Sequence, residues 1–180
     1  FNGGLIKTFA SGLKAQLSAF KGLEAPAYYA SGRYDFLYGR HTLKRELLYA
    51  NIQCIDNACV HLIINNTPLQ LAALSDHFFG VRKDKRPVSE LFSSLNEEVS
   101  TILLAHNAED IQHIQRHRID IQLSTQVNNC ALHRLMRQEQ TCYKGLHIEG
   151  KTLLYATTGL NPLRQKKSRS TPEIPLFTIQ

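Results

Sequence analysis

The chain has 180 residues, of which 43% are hydrophobic and 20% are charged, and its formal net charge is +6. These proportions exclude a largely disordered chain and are typical of a globular domain with a substantial core. No apolar run is long enough to span a membrane. We therefore predict one folded domain over residues 1–163, followed by a basic, proline-containing tail over residues 164–180.

Two groups of basic residues and four separated cysteines bear on partners and on cellular location. The cations cluster in residues 81–87 and 164–169, but no nucleic-acid-binding motif accompanies them, so the sequence disfavours nucleic acid as a partner. The cysteines form no Cys-x-x-Cys pair, which predicts reduced thiols in the cytoplasm or an organelle matrix.

Periodicity of apolar residues and turn-forming residues predict the elements in chain order. The first is an amphipathic helix over residues 5–21. Further helices are predicted over residues 69–79, 96–106 and 108–116. Strands are predicted within residues 26–35 and over 41–50, 58–65, 117–123, 131–145 and 152–160, with a turn at 149–151. This succession predicts an α+β domain with a single antiparallel sheet of about six strands.

The predicted strand over residues 41–50 contains a candidate ligand-binding cation. Leu43, Arg45, Leu47 and Tyr49 would share one strand face, which places a guanidinium among apolar side chains. A buried guanidinium needs an anion, which is either a protein carboxylate or the carboxylate of a bound ligand. Arg134 shares a face with apolar neighbours, so it too is a candidate to point inward and bind an acid.

Histidines and aspartates between residues 106 and 120 raise the alternative of a metal site. Two of the histidines, His113 and His117, would share a helix face. Because arginines flank His117 and no glutamate follows His113, we interpret this stretch as a solvated helix and predict no metal. No Gly-x-Ser-x-Gly motif indicates acyl-transfer chemistry.

The order of several segments resembles the chorismate pyruvate-lyase family and the related ligand-binding (UTRA-like) domains of GntR-type transcription regulators. The resemblance is carried by residues 13–17, 44–49, 79–92 and 132–155, and it spans roughly residues 13–163. It implies one curved antiparallel sheet whose helices cover a buried pocket. It further implies cleavage of chorismate to 4-hydroxybenzoate and pyruvate without any cofactor.

The resemblance also implies site residues, with two departures from the family pattern. Arg45 matches an arginine that binds a substrate carboxylate, whereas His61 stands near the place of the second arginine. Thr157 stands where the family has a glutamate on the last strand, and threonine cannot act as a carboxylic acid or base.

Two functions remain open at this point. The first is a domain that binds a small aromatic or enolpyruvyl carboxylic acid through Arg45, His61, Arg134 and Thr157, with or without turnover of chorismate. The second is a catalytically inactive lyase-like subunit that contacts protein partners in a larger assembly.

Overall fold

The structure is a computed structural model that describes residues 17–18, 20–32, 35, 40–75, 86–114, 116–125 and 145–156. The predicted domain boundary at residue 163 lies outside these ranges and stays a prediction. None of the helices in the described ranges is long and apolar enough to cross a membrane.

Within the described residues, eight strands and three α-helices have defined bounds. The strands are β1 (Ala27–Tyr29), β2 (Ile52–Cys54), β3 (Ala58–Ile64), β4 (Thr67–Leu74), β5 (Ser100–Ala105), β6 (Ile121–Ser124), β7 (Gly145–Glu149) and β8 (Thr152–Ala156). The helices are α1 (Arg40–Tyr49), α2 (Arg86–Ser94) and α3 (Ile111–Ile114), the last preceded by a 3-10 turn at Ala108–Asp110.

Six of the strands form one mixed sheet in the order β3-β4-β5-β6-β8-β7. The four inner strands run parallel, and β3 and β7 pair antiparallel with them at the two edges. The fold is therefore α/β, and the predicted purely antiparallel sheet is wrong. Because parallel strands point the same way, the carboxyl ends of β4, β5, β6 and β8 lie along one edge, which we call the carboxyl edge.

Each face of this sheet is covered by a different layer, as is usual for parallel strands. On one face, α2, the 3-10 turn and α3 pack on alternate residues of the inner strands, including Leu103 and Leu154. On the other face, Ala73 and Leu104 pack against Ala30 and Ile55. We call these the helix face and the ribbon face.

The layer on the ribbon face is a two-stranded parallel ribbon of β1 and β2, backed by α1. Leu43, Leu47 and Ala50 of the α1 segment are buried against Tyr29 and Ile52. Their spacing of four and then three residues is that of one helix face. Ile55 extends the ribbon by donating its N–H to the Tyr29 carbonyl at 2.9 Å, and a turn in which Ala58 donates its N–H to the Ile55 carbonyl at 3.1 Å leads into β3.

Three segments differ from their predicted type. The strand predicted over residues 41–50 is the helix α1, in which Leu43 and Leu47 are buried while Leu48 is 76% exposed. Period-two alternation therefore does not describe this segment. The helices predicted over residues 69–79 and 96–106 are replaced, where described, by β4 and β5.

A tight turn explains the error at β4. Asn65 and Asn66 both adopt positive φ, 49° and 63°, and connect β3 to β4 as a two-residue hairpin. Asparagine tolerates this left-handed conformation, which two-residue hairpins require. Pro68 lies near the start of β4, a place where a strand accepts proline, and does not begin a helix.

Candidate functional site

The predicted ligand-binding residues do not form an enclosed acid-binding pocket in the described part of the chain. Arg45 lies on α1, and its side chain is 62% exposed with its Nη2 atom 3.4 Å from Oε1 of the adjacent Glu46. The interpretation of Arg45 as a cation on a buried strand face is therefore wrong, because the helix turns it to solvent. Arg134 and Thr157 lie outside the described residues.

His61 lies on β3, the segment predicted to be a central strand covered on both faces. It is instead an edge strand in which no residue is buried, and His61 itself is exposed. Its elements also separate it from Arg45, since β3 belongs to the main sheet and α1 to the ribbon layer. No contact tests the acid-binding roles of these side chains, which stay predictions.

The carboxyl edge instead gathers polar side chains from three neighbouring strands. Leu74 pairs with Ala105, and Leu104 pairs with Leu123, so Ser75, His106 and Thr125 follow in adjacent positions. His106 is 5% exposed, and its Nδ1 lies 3.2 Å from Oγ1 of Thr125. The alternation that puts Leu104 on the ribbon face puts these three side chains there too.

A second set of polar groups lies in the segments that follow β1 and β2. Asn57 donates from Nδ2 to Oγ of Ser75 at 2.9 Å, and Ser75 donates its N–H to Oδ1 of Asn57 at 3.1 Å. The preceding residue, Asp56, accepts from the N–H and Oγ of Ser31 at 2.7 and 2.8 Å. Asn57 therefore fastens the turn between β2 and β3 to the end of β4, and Asp56 fastens the same turn to Ser31, shortly after β1.

A buried carboxylate lies a few residues beyond β1. Asp35 is fully buried, and its Oδ2 accepts from the hydroxyl of Tyr29 at 2.5 Å and from the N–H of Gly32 at 2.7 Å. Hydrogen bonds to the ionised form offset part of the cost of burying a carboxylate. Asp35 thus fixes the turn by which the chain leaves β1.

Two described cysteines, Cys54 and Cys59, are free thiols, as the sequence predicted. Burial raises the pKa of the Cys54 thiol, and the nearby negative charge of Asp56 raises it further. Burial raises the pKa of Cys59 as well. Cys54 lies at the ribbon end of the site, with its Sγ 3.8 Å from Oγ of Ser31.

A groove also lies away from the carboxyl edge. Its volume is about 520 Å³, and it opens between α1 and the β1–β2 ribbon, where Lys44, Leu48 and Gln53 line it. Of the residues named around the carboxyl edge, Cys54 lines this groove, whereas Ser31, Asn57, Ser75, His106 and Thr125 do not.

The histidine and aspartate series noted in the sequence is dispersed by the fold. His106 lies at the carboxyl edge, whereas His117 stacks on Phe92 with ring centroids 4.4 Å apart. Asp120 accepts a hydrogen bond from the N–H of Thr101 at 2.7 Å, at the opposite end of β5. Within the described residues, no group of three or more His, Cys, Asp or Glu side chains is arranged to hold a metal ion.

Sequence reasoning missed the carboxyl edge because its residues come from segments that are far apart in the chain. Ser31, Asn57, Ser75 and Thr125 carry no motif, and His106 was assigned to a helix. One signal was present: the apolar runs ending at Leu74 and Ala105 are each followed at once by a polar residue. This pattern is expected where parallel strands end at a ligand site.

Comparison with known proteins gives two relevant similarities, while no family model matches the chain. An uncharacterized metallophosphoesterase of Helicobacter pylori is 26% identical over 138 residues, which are 73% of this chain and 36% of that protein. The structure of the sulfate thiohydrolase SoxB of Thermus thermophilus in complex with glycerol superposes with a TM-score of 0.57 and 16% identity. It covers 84% of this chain and 32% of SoxB.

These similarities correct the family assignment made from the sequence. The fold is like that of SoxB, and the curated relative is a metallophosphoesterase, so the resemblance to chorismate pyruvate-lyase and to regulator ligand-binding domains is wrong. The lyase function and the inactive lyase-like subunit are abandoned with it. The chain spans about a third of the length of either protein that it matches.

Proposed function

We propose that this chain forms part of a metallophosphoesterase-like hydrolase whose reaction takes place at the carboxyl edge. The observation that carries the proposal is the buried His106. It lies where the parallel strands end, on the face of the sheet that the ribbon layer covers. Ligand sites in sheets of this kind lie outside the carboxyl ends of the strands. The similarity to a metallophosphoesterase supplies the reaction class.

The described residues do not by themselves fit the paired-metal centre that phosphatases use. Both oxygens of Asp56 accept hydrogen bonds from Ser31, and Oδ2 of Asp35 accepts from Tyr29 and Gly32, so these carboxylates already hold the fold together. The segments that follow β1, β4, β6 and β8 lie largely outside the described residues. When bound, metal ions would activate water and polarise the phosphoryl group.

The chain's own contribution is a held imidazole. Histidine changes its protonation near neutral pH and can take a proton from an attacking water or give one to a leaving group. The contact between Nδ1 of His106 and Thr125 sets the orientation of the ring. The hydroxyls of Ser75 and Thr125 on either side can donate hydrogen bonds to phosphate oxygens.

Hydrolysis of bis(p-nitrophenyl) phosphate and p-nitrophenyl phosphate with added Mn²⁺ tests the proposal. We expect hydrolysis that EDTA abolishes and that His106→Gln lowers by about 100-fold or more, the range for loss of an acid–base group. His61→Gln is the control, because His61 is an exposed histidine of an edge strand. Failure of the folded wild-type protein to hydrolyse either ester, or equal rates in the two variants, would refute the proposal.

A further inference from the structure

A glutamine is completely buried directly beneath the carboxyl edge. Gln122 lies in β6 with 0% exposure, and the alternation of that strand puts it and Ser124 on the helix face. His106 and Thr125 lie on the opposite, ribbon face. Gln122 therefore lies on the opposite face of the sheet from His106 and Thr125, away from the side that a substrate would approach.

The side-chain amide of Gln122 links the turn after His106 to Ser124, the last residue of its own strand β6. Its Nε2 donates toward the carbonyls of Asn107 and Ala108, at 3.2 and 3.3 Å, immediately after His106. The same Nε2 lies 3.0 Å from Oγ of Ser124, the residue before Thr125. One amide thus ties the backbone just after His106 to β6, the strand that Thr125 follows.

The side-chain amide of Gln122 is only partly satisfied among the described residues. Its Oε1 is buried and has no hydrogen-bond partner among the described residues, which is unfavourable for a carbonyl removed from water. The equally buried Gln70, on the neighbouring part of the sheet, has partners for both of its amide atoms. An apolar side chain of similar size would avoid the unsatisfied oxygen. It would also lose the hydrogen bonds between β6 and the turn after His106.

We infer that Gln122 is a positioning residue, which holds His106 and Thr125 in register by bonding the turn after His106 to β6, the strand that leads to Thr125. The inference rests on the proposed function, because it assigns Gln122 a part in the same hydrolytic site. Groups of this kind, which orient a functional side chain without touching the substrate, typically contribute about 10- to 100-fold in activity.

Two matched variants separate positioning from packing. Gln122→Met keeps the side-chain length and removes the donor, and Gln70→Met does the same at a buried glutamine away from the site. We expect Gln122→Met to lower kcat for bis(p-nitrophenyl) phosphate by about 10-fold with little change in KM. We expect Gln70→Met to lower the melting temperature more while leaving kcat near the wild-type value.

A third variant gives a pH signature that a packing role would not produce. The carboxyl group of Gln122→Glu can donate to the Asn107 or Ala108 carbonyl only while it is protonated, and burial favours that neutral form. Its kcat relative to wild type should therefore fall as pH rises through the titration of the introduced carboxyl group. A constant ratio across pH would contradict the inference.

Nuclear magnetic resonance of the His106 ring tests the inference without any activity. In the wild type we expect one tautomer, fixed by the contact with Thr125, and in Gln122→Met a shifted or averaged set of ring nitrogen signals. If the wild type hydrolyses neither ester, the proposed function fails and this measurement still decides the positioning role. Ring signals identical in wild type and Gln122→Met, or equal effects of Gln122→Met and Gln70→Met on kcat, would overturn the inference.

Discussion

The two ends of β5 are built differently. At its amino end, Gln70 donates from Nε2 to the Asn96 carbonyl at 2.8 Å and to Oγ1 of Thr101 at 3.1 Å, and its Oε1 accepts from the Asn96 N–H at 2.8 Å. Asp120 binds the N–H of Thr101 and returns its own N–H to the Thr101 carbonyl. This end is a closed network, in which side chains satisfy the backbone of adjoining loops.

The carboxyl end of β5 uses the same kinds of groups in a more open arrangement. His106 and Thr125 contact each other, Ser75 is held by Asn57 just before β3, and the supporting Gln122 keeps one buried oxygen without a partner among the described residues. Where polar groups are fully used within the protein, they stabilise it; where their capacity exceeds their internal bonds, they can bind something else. The unsatisfied oxygen of Gln122 distinguishes the carboxyl end, where we place the proposed site, from the closed network at the amino end.

The largest stability effect is expected at the amino end. Gln70→Met leaves the Asn96 N–H and the loop around it without their partner, which should lower the free energy of unfolding by about 2 kcal/mol. Urea denaturation measures this loss. Gln53→Met, on the exposed face of β2, should change it by less than about 0.5 kcal/mol. Equal losses in the two variants would mean that the network at the amino end does not stabilise the fold.

A smaller effect is expected where the turn between β2 and β3 is fastened to the end of β4 at the carboxyl edge. Asn57 adopts a φ of 52° and holds Ser75 by two hydrogen bonds. Asn57→Gly removes the bonds and should destabilise by about 1 kcal/mol, whereas Asn57→Ala adds left-handed strain and should cost about 2 kcal/mol.

The exposed Asn51 provides the control for that experiment, since its φ is 59°. Asn51→Gly should leave stability nearly unchanged, so the difference between the two glycine variants isolates the bonds to Ser75. If Asn57→Gly were as stable as Asn51→Gly, the hydrogen bonds between Asn57 and Ser75 would not contribute to the free energy of unfolding.

The sequence predicted the elements whose pattern is local. The strands β3, β6 and β8, the turn around Gly150 and the helical segment after Asn107 lie where apolar alternation and turn residues indicated. It failed at β4 and β5, because a short apolar run buried on both faces has no period that separates strand from helix. It failed at α1 because residues 43–49 satisfy both periods, and only packing on the ribbon selects the helix.

The candidate site was beyond local reasoning for a different physical reason. Ser75, His106 and Thr125 become neighbours only through the parallel register of β4, β5 and β6. Had those strands been recognised, the rule that ligands bind at carboxyl ends would have singled out His106. The two buried glutamines could not have been distinguished, since their roles depend on which loop each one contacts.

The smallest effect concerns the thiol of Cys54, which lies beside the carboxyl-edge network. The thiol of Cys59 lies outside that network and serves as the comparison. Asp56→Asn removes the charge that raises the pKa of Cys54, so alkylation of Cys54 by iodoacetamide should begin at lower pH. The pKa of Cys59 is raised by burial alone, and its alkylation profile should not move. Mass spectrometry of the alkylated peptides over a pH series measures both thiols in one sample.

The raised pKa of Cys54 also makes the stability of the fold depend on pH. Because the folded pKa of Cys54 lies above its unfolded value, the folded state holds this proton more tightly. Its contribution to stability is complete below the unfolded pKa and is lost as pH rises through the folded pKa. Asp56→Asn should therefore flatten the alkaline decline in stability, even if it lowers stability at neutral pH by loosening Ser31. An unchanged alkaline decline together with an unchanged Cys54 profile would show that Asp56 acts on Ser31 only.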